Sequence, residues 1–455
     1  MGEWGFMTME MARTQVRGLE EAMRVAPRPD LCAQLGGCYL MLGKPEAAAK
    51  LYELAFESLK IPEVAMSYAT VLRDLGRHAE AGRIGEYAYW LAPEVSYARL
   101  LHSESLLRAG LWREAWMIYD ISRATKMGER LRLNLPGKCR QWDGQVLPED
   151  EFLFVLMEGG AGDRINYARW LTKLEERVNL WKVFCYEPQA GLFTRWLGRE
   201  RVVLDGDKLP EMDVEARCWW TTVFALPANF EAGPGDVPQW GGDDFRFEIS
   251  DLKKEFPDSY TRLAWQGHSW LRASDEAVEK YKFNRPADGL PMIGLCWEAA
   301  EASPINDPNA PKTRSLSDAQ AMRIVVQTAD KVHWIGVQGN GAGYSIAKPL
   351  GWPMQTVEFE TWEDTAGLLA NLDAVLTVDT GTLHLAGAMG RPMGILLGAN
   401  SDWKFLEKGK CPFYRTAKLY RNGPRLAGIG DGGRFENAVT AAINAIRQDG
   451  LGAFG

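Results

Sequence analysis

Residues 372–398, LDAVLTVDTGTLHLAGAMGRPMGILLG, constrain the fold more than any other stretch of this chain. Val375 to Val378 is an apolar run that reads as a buried strand, Asp379 to Thr382 is a polar turn, and Leu383 to Met389 opens a helix with small residues on one side. Gly390-Arg391-Pro392 stops that helix, and Met393 to Leu397 reads as the next strand. The unit is β-turn-α-β. A helix whose first turn is built from Thr and Gly aims backbone N–H groups and hydroxyls at the carboxyl end of the preceding strand, a ready anion site whose obvious guest is a diphosphate. A simpler account of the same residues has Asp379 and Thr380 capping the helix and His384 satisfied within the core.

With 455 residues, the chain has room for two or three domains with large cores. It is 46% hydrophobic and 25% charged with a net charge of −8, an ordinary globular profile that speaks against a dedicated binder of nucleic acid or anionic lipid. The seven cysteines are scattered and odd in number, with no C-x-x-C pair. Neither a zinc site nor a disulfide framework is suggested, and a reducing cytoplasm fits best. The N-terminal residues MGEWGFMTMEMART lack a basic start followed by an apolar run, and no stretch is apolar enough to span a membrane, so a cytoplasmic protein without a secretory signal is expected.

The phrases Leu42-Gly43-Lys44-Pro45-Glu46-Ala47-Ala48, Leu75-Gly76-Arg77-His78-Ala79-Glu80-Ala81 and Ala109-Gly110-Leu111-Trp112-Arg113-Glu114-Ala115 place their glycines 33 and then 34 positions apart. That is the tetratricopeptide period, with a Gly closing the first helix of each pair and an alanine (Ala48, Ala81, Ala115) admitting the second. An incomplete earlier repeat is expected over Arg13 to Val25. So few repeats stand poorly alone, so residues 1–130 are expected to lean on the adjoining domain, either as a concave surface for a peptide or as a structural cap.

Residues 131–285 form the second expected domain, a small α/β sheet. Phe152 to Leu156 reads as its first buried strand, running into Glu158-Gly159-Gly160-Ala161-Gly162-Asp163 and a helix from Ile165 to Leu174. A glycine-rich turn there lets substrate approach the backbone at Gly160 and Gly162, although it lacks the G-x-G-x-x-G of dinucleotide sites. Asp163 is placed either to take a proton from an acceptor or to cap the helix. Further strands are expected at Trp181 to Tyr186, Arg201 to Leu204 and Cys218 to Val223. Trp219 and Trp220 could stack on a sugar, though core packing is the commoner use of such residues. Residues 229–260 read as a long turn-rich loop, and Asp205-Gly206-Asp207 fits the letters of a D-x-D metal motif in a setting that reads as a surface turn.

Residues 286–455 form the third. Strands are expected at Pro291 to Trp297, Val332 to Gln338 and Ala417 to Arg421, a closing helix at Asn437 to Gln448, and disorder in the tail GLGAFG.

From Phe359 onward the chain resembles the nucleotide-sugar half of two related groups: the heptosyltransferases of lipopolysaccharide synthesis, and the bacterial glycosyltransferases with tetratricopeptide repeats that sit near the O-linked N-acetylglucosamine transferases. The residues are Asp364-Thr365-Ala366, Leu372-Asp373-Ala374-Val375, and Val378-Asp379-Thr380 followed by His384-Leu385-Ala386, Ala388, Gly390 and Pro392. Gly160-Ala161-Gly162-Asp163 and Tyr167-Ala168-Arg169 match the G-x-G-D loop and helix of the first half, and 399–405 is similar to a P-x-x-D-W-R-W-L segment.

The resemblance implies a GT-B enzyme, with two Rossmann-like domains facing across a cleft behind an all-α repeat module. It implies transfer of a sugar with inversion from a nucleoside-diphosphate donor to a protein or glycan, without metal or other cofactor. By the same resemblance Asp163 is the general base and Lys312 and Arg314 are the cations at the leaving diphosphate. Gln338 meets the nucleotide base, and Asp379, Thr380, Gly381, Thr382 and His384 hold the nucleotide and diphosphate. The alternatives are a heptosyltransferase-like enzyme of surface polysaccharide synthesis, which the repeats disfavour, and a non-catalytic protein-binding scaffold.

Overall fold

A computed structural model describes residues 9–118, 139–204, 207, 218–231, 269–299, 314–339, 351–406, 410–423 and 435–454. The chain begins with seven helices, α1 (Met9–Val25), α2 (Pro29–Met41), α3 (Pro45–Leu59), α4 (Pro62–Asp74), α5 (His78–Leu91), α6 (Ser96–Ala109) and α7 (Trp112–Ile118). The repeat glycines do what their spacing implies. Gly43, Gly76 and Gly110 take φ of 71°, 73° and 82° just past α2, α4 and α6, a left-handed conformation that costs glycine little and lets the chain reverse. Ala48, Ala81 and Ala115 are buried where the second helix of each pair crosses the first.

The second part is a five-stranded parallel sheet in the order β1-β5-β2-β3-β4, from β1 (Arg140–Gln141), β2 (Phe152–Leu156), β3 (Leu180–Phe184), β4 (Val202–Val203) and β5 (Cys218–Thr222). Helices α8 (Ala161–Ala168), α9 (Ala190–Leu197) and α10 (Leu226–Glu231) accompany it. The crossing segment then runs along the third part: the backbone N–H groups of Trp270 and Leu271 both donate to Ala388 O before α11 (Asp275–Lys280).

The third part is a six-stranded parallel sheet, β11-β10-β9-β6-β7-β8. Its strands are β6 (Met292–Cys296), β7 (His333–Gly336), β8 (Gln355–Thr356), β9 (Ala374–Thr377), β10 (Met393–Leu397) and β11 (Ala417–Arg421). Its helices are α12 (Asp318–Thr328), α13 (Trp362–Ala370), α14 (Gly381–Ala388) and α15 (Glu436–Asp449). Every residue of β6, β9 and β10 is buried, as expected of central strands covered by helices on both faces. The architecture is α/β of GT-B type behind an all-α, tetratricopeptide-like module, and the two sheets share one continuous apolar core with the last repeat helices.

Three expectations are corrected. Cys139 and Cys218 form a disulfide, tying the lead-in to β1 onto β5, so the scattered cysteines do not exclude pairing and do not argue for a reducing compartment. The pair was hidden because the parallel register that sets Arg140 opposite Trp219 brings together residues 79 apart in sequence. The tail is ordered as far as Phe454: Tyr420 donates its hydroxyl to Ala453 O, and Phe454 is buried against the third core. The helix expected from Ile165 to Leu174 begins earlier, at Ala161, and gives way to a 3₁₀ turn at Arg169. Among the described residues no helix is long and apolar enough to cross a membrane. The loop expected at 229–260 lies almost wholly outside the described residues.

Candidate active site

Two eight-residue helices, one from each α/β part, meet nose to nose. Helix α8 begins after β2 with Gly160 as its N-cap, and α14 begins after β9 with Thr380 as its N-cap. Glycines permit the approach. A Cβ on Gly162 would stand 2.7 Å from His384 Cδ2 and 3.1 Å from Gly381 Cα, and one on Gly381 would stand 2.5 Å from the Trp362 ring. Gly162 therefore serves the contact between the two halves as well as lining the cleft. Gly162→Ala is expected to cost about 1–3 kcal/mol by overpacking, read as a fall in melting temperature; an unchanged melt would show that the halves yield freely.

Between these ends lies a cavity of about 230 Å³, lined by Gly160, Ala161, Gly162 and Asp163 on one wall and by Thr380, Gly381, Thr382 and Asp379 on the other. Arg314, Lys404, His384, Glu298, Gly339 and Trp362 are among the other residues that line it. The Thr380 hydroxyl accepts from Leu383 N at 3.3 Å, which stabilises the helix start while the N–H groups of Gly381 and Thr382 lie ahead of any intrahelical acceptor. The capping account of Thr380 and the anion-site account are thus compatible. Asp163 does not cap α8, because that position belongs to Gly160 and Asp163 stands three residues into the helix.

Lys404 is a site residue that the sequence alone does not single out. Its side chain is 6% exposed, yet its Nζ lies 3.3 Å from Asp163 Oδ1 and 3.6 Å from Asp402 Oδ2. Burial works against its charge, but Asp402, Asp163 and Asp379 together outweigh that and hold it protonated well above the ordinary lysine range. The signal available was a lone lysine at the place of the arginine in the D-W-R-W pattern that 399–405 resembles.

Asp379 is largely buried, its side chain 12% exposed, and burial alone would raise its pKa. Lys404, His384 and Arg314 reverse the sign and keep it ionised. His384 Nε2 lies 3.6 Å from Asp379 Oδ1, while burial and Lys404 push the imidazole towards its neutral form. Its Nδ1 is 2.7 Å from the Tyr414 hydroxyl, which donates to Asn166 Oδ1 at 3.1 Å, so the phenol links the two halves across the domain boundary. Arg169 closes that boundary. Its guanidinium is buried, donates to Asn166 O, Asn166 Oδ1 and Phe413 O at 2.9–3.0 Å, and lies over the rings of Trp270, Phe413 and Tyr414.

The remaining sequence-derived residues divide. Arg314 lines the cleft, whereas Lys312 lies outside the described residues. Gln338 is buried and its amide is spent on the backbone: Oε1 accepts from Trp297 N and Glu298 N, and Nε2 donates to Glu298 O and Gly339 O. It pins the loop after β6, and its neighbour Gly339 is what faces the cleft. Trp220 is core, and Trp219, on β5 between β1 and β2, donates to Glu151 with Arg140 over its ring, so neither lines the cavity. Asp207 is a turn residue, accepting from Leu204 N and pairing with Arg199. Asp364 accepts from Lys280 and completes the capping box with Thr361. Among the described residues no cluster of three or more His, Cys, Asp or Glu is placed to hold a metal ion.

No family model matches the chain. Protein FlbA of Caulobacter vibrioides is 24% identical over 323 residues, covering 69% of this chain and 50% of FlbA, so the chain spans about half the length of that relative. Among solved structures, a mutant O-GlcNAc transferase of Thermobaculum terrenum aligns with 97% of this chain and 89% of its own at 11% identity and a TM-score of 0.28. The iron-containing dodecameric heptosyltransferase TibC of enterotoxigenic E. coli, solved with ADP-D-β-D-heptose, aligns with 68% of this chain and 77% of its own at 10% identity and a TM-score of 0.37. These are distant likenesses of fold.

Proposed function

We propose that the chain is an inverting glycosyltransferase that moves a sugar from a nucleoside-diphosphate donor to a protein or glycan acceptor. One observation carries this: the N-terminus of α14, with Arg314 in the same lining, stands on one side of a single cleft, the carboxylate of Asp163 stands on the other, and the Lys404 ammonium lies between them, 3.3 Å from Asp163 Oδ1. In the step this supports, the acceptor hydroxyl gives its proton to Asp163 as its oxygen attacks the anomeric carbon. The bond from that carbon to the phosphate oxygen breaks on the opposite face, and the departing diphosphate gathers charge where donors are already oriented. The cavity is smaller than the roughly 300–1,000 Å³ of pockets that enclose whole drug-sized ligands. It suits the diphosphate and the reacting sugar, with Gly339 marking the way towards the base.

A non-catalytic scaffold is disfavoured by the buried charges themselves. Asp379 and Lys404 keep opposite charges in a cleft at a desolvation cost that packing alone would not demand. A thermal-shift screen against UDP-, GDP-, ADP- and dTDP-sugars tests the reading, since a ligand at 100 times its Kd adds about 2.7 kcal/mol. No stabilisation by any of them would overturn it. Because cationic side chains and a helix end serve the leaving group, turnover is expected to persist in excess EDTA. Activity abolished by EDTA and restored only by Mn²⁺, Mg²⁺ or iron would replace that part of the mechanism.

A further inference from the structure

We infer that the helical repeats are part of the donor site: they grip residues 399–405 so that Lys404 stands at the diphosphate position. This rests on the donor reading above.

The chain leaves β10 at Leu397, and among the described residues the segment beyond it pairs with no strand, so its polar groups need other partners. Repeat side chains supply them at consecutive positions. His78 Nε2 lies 3.1 Å from Ala399 O, Asn400 Nδ2 donates to Asp74 Oδ1 at 2.8 Å, and Arg108 Nη2 donates to Ser401 O at 2.6 Å. Trp403 then sits edge-on between Trp112 and Trp116, at ring distances of 6.1 and 5.8 Å. The next residue is Lys404. Four of the five residues before it are thus fixed by α4, α5, α6 and α7, and the buried ammonium is delivered between Asp163 of one half and Asp379 of the other.

The grip is built to persist across the physiological pH range. Burial, with Arg108 beside it, pushes the His78 pKa down to about 3, so the ring stays neutral and its Nε2–H faces the carbonyl. A module serving only to capture an acceptor would have no need to hold the donor side of the cleft. Here one surface of the repeats does so, and His78, Asp74 and Arg108 are positioning residues that act through Lys404.

The test is calorimetry on the full chain with ADP, UDP, GDP and dTDP and with the corresponding nucleosides. Variants are His78→Leu with Arg108→Leu, the milder Asn400→Ala, and each combined with Lys404→Gln. The clamp variants are expected to weaken the diphosphate that wild type binds by about tenfold while leaving the nucleoside unchanged, and to add less than twofold once Lys404 is already Gln. Should the double leucine variant fail to fold, Asn400→Ala reads the same ratio. Equal weakening of nucleoside and diphosphate, diphosphate affinity within twofold of wild type, or full additivity with Lys404→Gln would overturn the inference. Wild type binding none of the four diphosphates would instead overturn the donor reading on which it stands.

Discussion

Asp163→Asn is expected to lower kcat by about 10²–10⁴-fold while donor affinity stays within a few-fold of wild type. Asparagine keeps the size and much of the hydrogen bonding of aspartate and removes its charge and with it the ability to take a proton. The fold should tolerate the change, because Gly160 rather than Asp163 caps α8. Lys404 keeps Asp402 and Asp379 as partners. The measurement is steady-state turnover with acceptor at saturation. Turnover within a few-fold of wild type would remove Asp163 from the chemistry and move the search for a base to residues 231–244.

The donor half was legible because its signals are local. A buried strand, a Thr-Gly turn and a small-residue helix occur within 27 consecutive residues, and the structure places β9, the Thr380 cap and α14 over those residues with boundaries shifted by one or two. The repeat glycines were legible for the same reason, since a left-handed helix end needs only its own residue. What the sequence hid is what depends on parallel register or on contacts between parts. The Cys139–Cys218 pair needs the β1–β5 pairing, and the second role of Gly162 needs α14 to be opposite α8. Lys404 is a single cation in an irregular segment, and nothing local distinguishes it from a solvated lysine until Trp112, Trp116 and the three carboxylates are in place. Gln338, which the resemblance sets at the nucleotide base, has a buried amide with four possible hydrogen bonds, and backbone groups take them.

Glu158→Gln is expected to raise the melting temperature by several degrees at pH 8 and to leave it nearly unchanged at pH 5. Glu158 follows Met157 just beyond β2, is 1% exposed, and its carboxyl group has at most a loose contact with the Thr222 hydroxyl. Burial pushes its pKa up to about 8 from 4.5, against a lesser lowering by Thr222. Between those two values the folded protein holds a proton that the unfolded chain has released, so stability is full below about pH 4.5 and is lost as pH rises towards 8. At 1.36 kcal/mol per pKa unit the loss is on the order of 3 kcal/mol by pH 7. Glutamine fills the same space and never has to give up a proton, which removes the slope. Melting curves of wild type and variant across pH 5–8 check this: they should meet at the acid end and separate towards the alkaline end, and parallel curves would show that Glu158 is ionised in the fold. Because the side chain leads into the Gly159-Gly160 turn without lining the cavity, turnover at pH 6 should be little altered. A large loss there, with the melt unchanged, would assign Glu158 to the acceptor side of the reaction instead.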